Sequence, residues 1–210
     1  MENSCLIISG GDFHKKPEAA DYALVIACDR GYTYAKEWGI RPDLIIGDFD
    51  SAPPPETEVP VLRYPSEKDD TDTMLAVREA LRRGFSRIDI GCALGGRLDH
   101  AVANMQAAGY IAEQGASARL MGEGEEVLAL PPGSWRLPAR KGWSLSVFSL
   151  TERCRGLDIS GTKYQVKDAE ISSRFPIGAS NVWTEKEAEI RLREGILLVV
   201  MSRLKKNEHI

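Results

Sequence analysis

The 210 residues predict an α/β chain with two lobes: an N-terminal, mostly parallel sheet with helices on both faces over 1–124, and a C-terminal antiparallel β-sandwich over 125–210. Two observations carry this. Up to about residue 122, short Ile/Leu/Val-rich runs alternate with amphipathic segments, and buried strands alternating with helices imply right-handed crossovers in a parallel sheet. After Gly122-Glu-Gly-Glu-Glu126 the pattern changes to period two, the signature of strands with one face in a core and one in water.

The expected N-terminal strands run from Cys5 to Ser9, Ala23 to Cys28, Leu44 to Ile46, Arg87 to Ile90 and Ala118 to Met121. A helix opens near Asp70, turns Met74, Val77 and Leu81 inward and Arg78, Glu79, Arg82 and Arg83 elsewhere, and stops at Gly84. A second helix aligns Leu98, Val102, Met105 and Ala112 and ends near Gly115. In the C-terminal half, Leu145 and Val147 alternate with Ser144 and Ser146, and Ala188, Ile190 and Leu192 with Glu187, Glu189 and Arg191. Arg193-Glu194-Gly195 then supplies a turn into Ile196 to Met201. Pro53-Pro54-Pro55 is a stiff loop, and the tail from Lys205 is expected to fray.

Composition excludes several classes. With 31 acidic against 27 basic residues, the net charge of -4 provides no field for nucleic acid. Cys5, Cys28, Cys92 and Cys154 form no Cys-x-x-Cys pair, which argues against structural zinc and for reduced thiols in the cytoplasm. No apolar stretch approaches the roughly 20 residues that span a bilayer, so no membrane partner is expected.

Three polar clusters stand after strands. Gly47-Asp48-Phe49-Asp50-Ser51 follows Leu44 to Ile46, and residues two apart on extended backbone share a side. Two carboxylates about 4 Å apart repel by roughly 4 kcal/mol at an effective dielectric near 20; a divalent cation answers that repulsion, and oxygen-only ligands suit magnesium. Asp69, Asp70 and Asp72 open the helix near residue 70, more acid than capping requires, with Lys68 beside them as a cation for phosphate. Gly95-Gly96-Arg97-Leu98-Asp99-His100 combines glycine amides, a helix start and an arginine, which is anion-binding chemistry without a Walker A loop. Topology brings clusters at the carboxyl ends of different strands to one crevice.

Asp29-Arg30-Gly31, the run Gly39 to Ser51, Lys68 to Thr73 and Gly95 to His100 together resemble thiamine pyrophosphokinase, in the same order along the chain. Gly178-Ala-Ser-Asn-Val-Trp183 and Glu194-Gly-Ile-Leu-Leu198 are similar to the end of that family. The resemblance implies a homodimer that transfers the pyrophosphoryl group of ATP to the hydroxyl of thiamine, giving thiamine diphosphate and AMP, with active sites at the subunit interface. It implies that Asp48, Asp50 and Asp70 or Asp72 hold Mg2+ and triphosphate. Asp29, Arg30, Gly31, Asp48, Lys68, Gly95, Gly96, Arg97, Leu98 and His100 would line the nucleotide side. Asp50, Ser51 and Asp72 would face thiamine, with Ser180, Asn181 and Trp183 meeting its rings from the partner subunit.

Asp72 or Asp99 would orient or deprotonate the hydroxyl, with Asp70 also among the catalytic carboxylates. Many members carry Asp-Gly-Gly where this chain has Asp29-Arg30-Gly31, so Arg30 either adds a phosphate contact or fills space. Trp183 is either a ligand platform or core. The rival readings are a magnesium-dependent diphosphokinase acting on a pterin-type alcohol, which shares the Gly-Asp-x-Asp-Ser signature, a metal-dependent phosphohydrolase, and a binding module without turnover.

Overall fold

A computed structural model of the protein describes residues 3–12, 16–17, 21–48, 57–65 and 70–205. The prolines at 53–55 and the tail beyond Lys205 lie outside the described residues. The chain divides into two compact units, Met1–Glu123 and Gly124–Ile210.

In the first unit the strands are β1 (Ser4–Ile8), β2 (Leu24–Cys28), β3 (Leu44–Gly47), β4 (Val61–Arg63), β5 (Arg87–Gly91) and β6 (Ser117–Met121). They run parallel in the order β4-β3-β2-β1-β5-β6. Every residue of β1 and β2 is buried, as strands covered on both faces must be. Helix α1 (Gly31–Glu37) covers one face, where Leu6, Ile8 and Val25 pack with Tyr34 and Ala35. Helix α2 (Asp72–Arg82) covers the other: the Ser9 and Thr73 hydroxyls lie 2.8 Å apart, and the Cys28 thiol points to the Asp72 carbonyl at 3.6 Å. Helix α3 (Leu98–Glu113) packs on β6 and against α2.

Burial on the α1 side encloses one charged group. Asp89, 1% exposed, accepts from the Tyr22 hydroxyl at 2.6 Å, Arg87 at 2.9 Å and Arg119 at 2.5 Å. A buried carboxylate persists only when paired in this way. Burial, reinforced by Asp89, pushes the Tyr22 hydroxyl up to about 12.

The helix faces differ from those the apolar spacing predicts. In α2, Thr71 caps the helix by accepting from the Met74 amide at 3.1 Å. Val77 is buried as expected, but Met74 and Leu81 are only half-buried, and Glu79 points inward at 8% exposed. Arg82 and Arg83 stay exposed, as the spacing predicts, and reach back to close on its carboxylate at 2.8 Å and 2.7 Å. In α3 the correction is larger: Leu98 is 78% and Val102 48% exposed. The buried stripe is Ala101, Asn104, Ala107, Ala108, Ile111 and Ala112, because close approach to β6 and α2 selects small side chains over large apolar ones.

The second unit holds β7 (Glu125–Leu130), β8 (Gly133–Pro138), β9 (Trp143–Ser149), β10 (Arg153–Ser160), β11 (Val166–Ser172), β12 (Glu187–Leu192) and β13 (Leu197–Arg203). One antiparallel layer runs β7-β13-β9 and the other β11-β10-β12-β8. Leu145, Val147, Leu157, Ile159, Ile190, Leu192, Leu197 and Val199 form the core of this sandwich. The turn at Arg193–Gly195 is not a hairpin: β12 and β13 belong to different layers, and the crossing is pinned to β10 by the Arg155 amide on the Glu194 carbonyl at 3.0 Å. Among the described residues no helix is long and apolar enough to cross a membrane.

Hydrogen bonds from Arg82 and Arg83 hold the Glu79 carboxyl down at about 2 against an ordinary 4.5. Its contribution is therefore present above pH 4.5 and lost as pH falls through about 2. Glu79→Gln is expected to lower stability at pH 7 by about 1–2 kcal/mol, the guanidiniums being partly solvated, and the deficit should vanish near pH 2 in urea denaturation. Equal stability of the two proteins at pH 7 would contradict the assignment.

Candidate active site

The strand order reverses between β1 and β5, and this switch point is where open parallel sheets bind ligands, outside the carboxyl ends of the strands. Four of the expected segments reach that edge. Asp29 follows β2 and Asp48 follows β3; Asp70 and Asp72 bracket the cap of α2, and Gly95 to His100 lead from β5 into α3. Asp50, Ser51 and Lys68 lie outside the described residues.

Local chemistry fixes each segment. Asp29 takes a left-handed conformation (φ 43°), with its amide donating to the Ile46 carbonyl at 2.9 Å. Gly31 begins α1 where nothing larger fits: a Cβ there would lie 2.0 Å from the Ile8 carbonyl oxygen. Between them Arg30 is exposed, its guanidinium 5.4 Å from the centre of the Tyr34 ring. Gly95 and Gly96 both have positive φ, 87° and 66°, and each would bring a Cβ within 2.9 Å of the Asp12 carboxylate. Asp12 thus joins the site. The sequence reading passes over it, although Gly10-Gly11-Asp12 follows β1 much as Gly47-Asp48 ends β3.

The charges are partly paired. Asp70 bridges to Arg78 at 2.9 Å. Arg97 grips Asp99 with two bonds, 3.1 Å and 2.5 Å, while the His100 amide donates to the same carboxylate at 3.0 Å. The hydrogen bonds from Arg97 hold the Asp99 carboxyl below the usual carboxylate range, which makes it a weak proton acceptor in this geometry. A cavity of about 220 Å³ lies between the first turns of α2 and α3, lined by Thr71, Thr73, Asp99, His100, Ala103 and Asn104. Leu98 points to solvent. Among the described residues no three His, Cys, Asp or Glu side chains already form a metal cluster, but the donors available from Asp48, Asp70 and Asp72 are all hard oxygens.

In the second unit, Ser180 is exposed with φ 60°, its amide donating to the Ser146 hydroxyl at 3.0 Å. Asn181 is buried and its amide is saturated: Nδ2 donates to Thr162 Oγ1 at 3.1 Å and the Tyr164 carbonyl at 2.7 Å, and Oδ1 accepts from the Tyr164 and Val182 amides. Trp183 packs against the sandwich core, with its indole N–H on the Leu137 carbonyl at 3.1 Å. The open aromatic of this corner is Tyr164, 57% exposed, with the Lys163 ammonium 5.3 Å from its ring centre. Tyr164 was missed in the sequence because its place depends on Asn181, which lies distant in the chain.

A family model described as the thiamin pyrophosphokinase catalytic domain matches residues 16–119, and one described as the thiamin pyrophosphokinase vitamin B1 binding domain matches residues 136–197. The thiamine pyrophosphokinase of Bacillus subtilis is 28% identical over 207 residues, covering 93% of this chain and 97% of that protein. The crystal structure of thiamine pyrophosphokinase from Bacillus subtilis superposes with a TM-score of 0.83 at 24% identity, covering 96% of this chain and 99% of that one. A thiamin pyrophosphokinase family protein from Enterococcus faecalis superposes at 0.81 with 28% identity, covering 97% and 100%. With one model on each compact unit, in chain order, the chain belongs to the thiamin pyrophosphokinase family.

Proposed function

We propose that this chain is a thiamine diphosphokinase that moves the pyrophosphoryl group of ATP onto the hydroxyl of thiamine and releases AMP. The observation that carries the reading is the gathering of Asp12, Asp29, Asp48, Asp72 and the Gly95–His100 turn at the switch-point edge of a chain that matches both domains of the family. The first unit is the catalytic, nucleotide-binding domain and the second carries the thiamine-binding surface.

Asp48 and Asp50, with Asp70 or Asp72, would hold Mg2+, which when bound neutralises the triphosphate. Arg97 would bind the phosphates, a role the family resemblance gives Lys68 as well, and the positive-φ turn at Gly95 and Gly96 lets backbone amides approach them. Asp29, Arg30, Gly31, Leu98 and His100 complete the nucleotide side. The thiamine hydroxyl oxygen attacks the β-phosphorus, the bond from that phosphorus to the α,β-bridging oxygen breaks, and its electron pair leaves with AMP. Asp72, in the first turn of α2, would take up the hydroxyl proton, with Asp99 the alternative carboxylate once Arg97 turns to phosphate.

By the family resemblance Asp50, Ser51 and Asp72 would meet thiamine, with the exposed Ser180 meeting its rings from the partner subunit. Asn181 shapes the turn that presents Tyr164, while Trp183 is committed to the sandwich core and the Leu137 carbonyl. An exposed ring that already accepts a lysine ammonium suits a flat cationic thiazolium. The family resemblance supports a homodimer with active sites at the subunit interface. Four buried free thiols fit a cytoplasmic enzyme.

Incubation with ATP, Mg2+ and thiamine is expected to give AMP and thiamine diphosphate in equal amounts by chromatography. Phosphate released without thiamine, or ATP left intact, defeats the proposal. Asp72→Asn is expected to lower kcat by about 100-fold or more; a near-normal kcat at saturating thiamine removes Asp72 from the proton step. Tyr164→Ala is expected to raise the KM for thiamine about tenfold with the KM for ATP unchanged, while Tyr164→Phe stays close to the parent. Equal thiamine KM values for all three proteins would exclude the ring as a platform.

A further inference from the structure

The buried stripe of α3 contains one polar residue among its alanines. Asn104 lies one turn beyond His100 and is 7% exposed. A buried amide without partners would be costly, so its presence in a stripe otherwise selected for small size requires a task. Its Nδ2 donates to the Ala93 carbonyl at 2.8 Å. Because that partner can only accept, the orientation of the amide is settled: Nδ2 faces the turn after β5, beside the cavity that Asn104 lines with Thr71, Thr73, Asp99 and His100.

The turn it holds is under local strain. Cys92 has φ 54°, unfavourable for a side chain with a Cβ, and Gly95 and Gly96 follow in the same left-handed region. Such a conformation persists only where its surroundings over-determine it. Backbone bonds secure one end, from the Gly11 amide to the Cys92 carbonyl at 3.1 Å and from the Ala93 amide to the Met121 carbonyl at 3.4 Å. Asn104 ties the same stretch to α3, the helix whose first turn carries Asp99 and His100.

We infer that Asn104 is a positioning residue for nucleotide binding: its amide holds the turn after β5 in the shape that presents Gly95, Gly96 and Arg97 to a triphosphate. This rests on the reading of that turn as the nucleotide side. Asn104 acts through the backbone it fixes and needs no contact with the phosphates. A purely structural asparagine would instead support folding while leaving ligand affinity in the folded protein unaltered.

Affinity for magnesium α,β-methylene-ATP, which cannot undergo transfer, separates these roles when titrated calorimetrically without thiamine. Asn104→Leu keeps the size and removes the donor; Asn104→Asp keeps a polar side chain and sets an acceptor against the Ala93 carbonyl. Both are expected to weaken nucleotide binding about tenfold with the KM for thiamine unchanged; the melting temperature falls by a few degrees for Asn104→Leu and further for Asn104→Asp, which buries an unpaired carboxylate. If one variant fails to fold, the other carries the test. Nucleotide affinity within twofold of the parent, or equal losses for nucleotide and thiamine, overturns the inference. Since the titration needs no turnover, a parent protein that binds the analogue but makes no thiamine diphosphate defeats the proposed function and leaves the role of Asn104 measurable. A parent that does not bind the analogue overturns the inference.

Discussion

At the carboxyl edge of the parallel sheet, backbone lies directly on backbone, and no side chain can come between the layers of loop. The Gly31 Cα sits against the Ile8 carbonyl, where a Cβ would be 2.0 Å from oxygen, and Gly11 sits against Cys92 with 2.2 Å available. The Tyr34 hydroxyl then donates to the Gly11 carbonyl at 2.9 Å, tying α1 to the same loop. The β1 loop, the start of α1 and the β5 turn are consequently one interlocked body resting on fully buried strands. Asp12, Asp29 and the Gly95–Gly96 turn owe their proximity to that fit, and a methyl group at either glycine would push the loops apart.

Charge in the site is arranged for exchange. Arg97 and Asp99 are joined only two residues apart on an exposed turn, where water screens both groups and the pair contributes little to stability. Replacing a carboxylate by a phosphate on the guanidinium therefore meets little resistance. The contrast is Asp89, whose three partners enclose it on the α1 side of the sheet. Removing any of those would strand a buried charge, so that cluster is committed to the fold. Burial of the carboxylate distinguishes the two: an arginine that neutralises a buried acid is fixed, while one paired to an exposed acid can be handed to a ligand.

Elements governed by local chemistry were legible in the sequence. The β-rich runs, the helix start near Asp70, the stop at Gly84 and the strand-end acidic motifs follow from propensity, capping and the topology of parallel sheets. Helix faces were not, because apolar spacing ranks residues by hydrophobicity whereas packing selects by shape. Leu98 and Val102 lost the inner face of α3 to alanines that permit close approach, and Glu79 is tolerated inside because two exposed arginines reach its carboxylate. The residues at Arg193–Gly195 predict a turn and nothing about where it leads. Which layer receives the next strand is decided by pairing with β7 and β9, far from the turn.

The second unit shows why a motif's most conspicuous residue need not be the one that meets a ligand. Asn181 draws notice in the sequence beside Ser180 and Trp183, yet every hydrogen-bonding position of its amide is filled within the unit. Opening any of these to a ligand would leave the Tyr164 backbone or Thr162, itself 1% exposed, short of a partner. What the amide achieves is to clamp both the N–H and the C=O of one residue, seventeen positions earlier, whose ring stands in solvent. Asn104 in the first unit follows the same logic, spending its donor on a carbonyl of the turn that carries the glycines. In both units a buried amide fixes backbone geometry, and the groups open to a substrate stand on the loops so fixed. A rigid loop loses less freedom when a ligand arrives, which is how side chains that touch neither substrate can govern affinity for both.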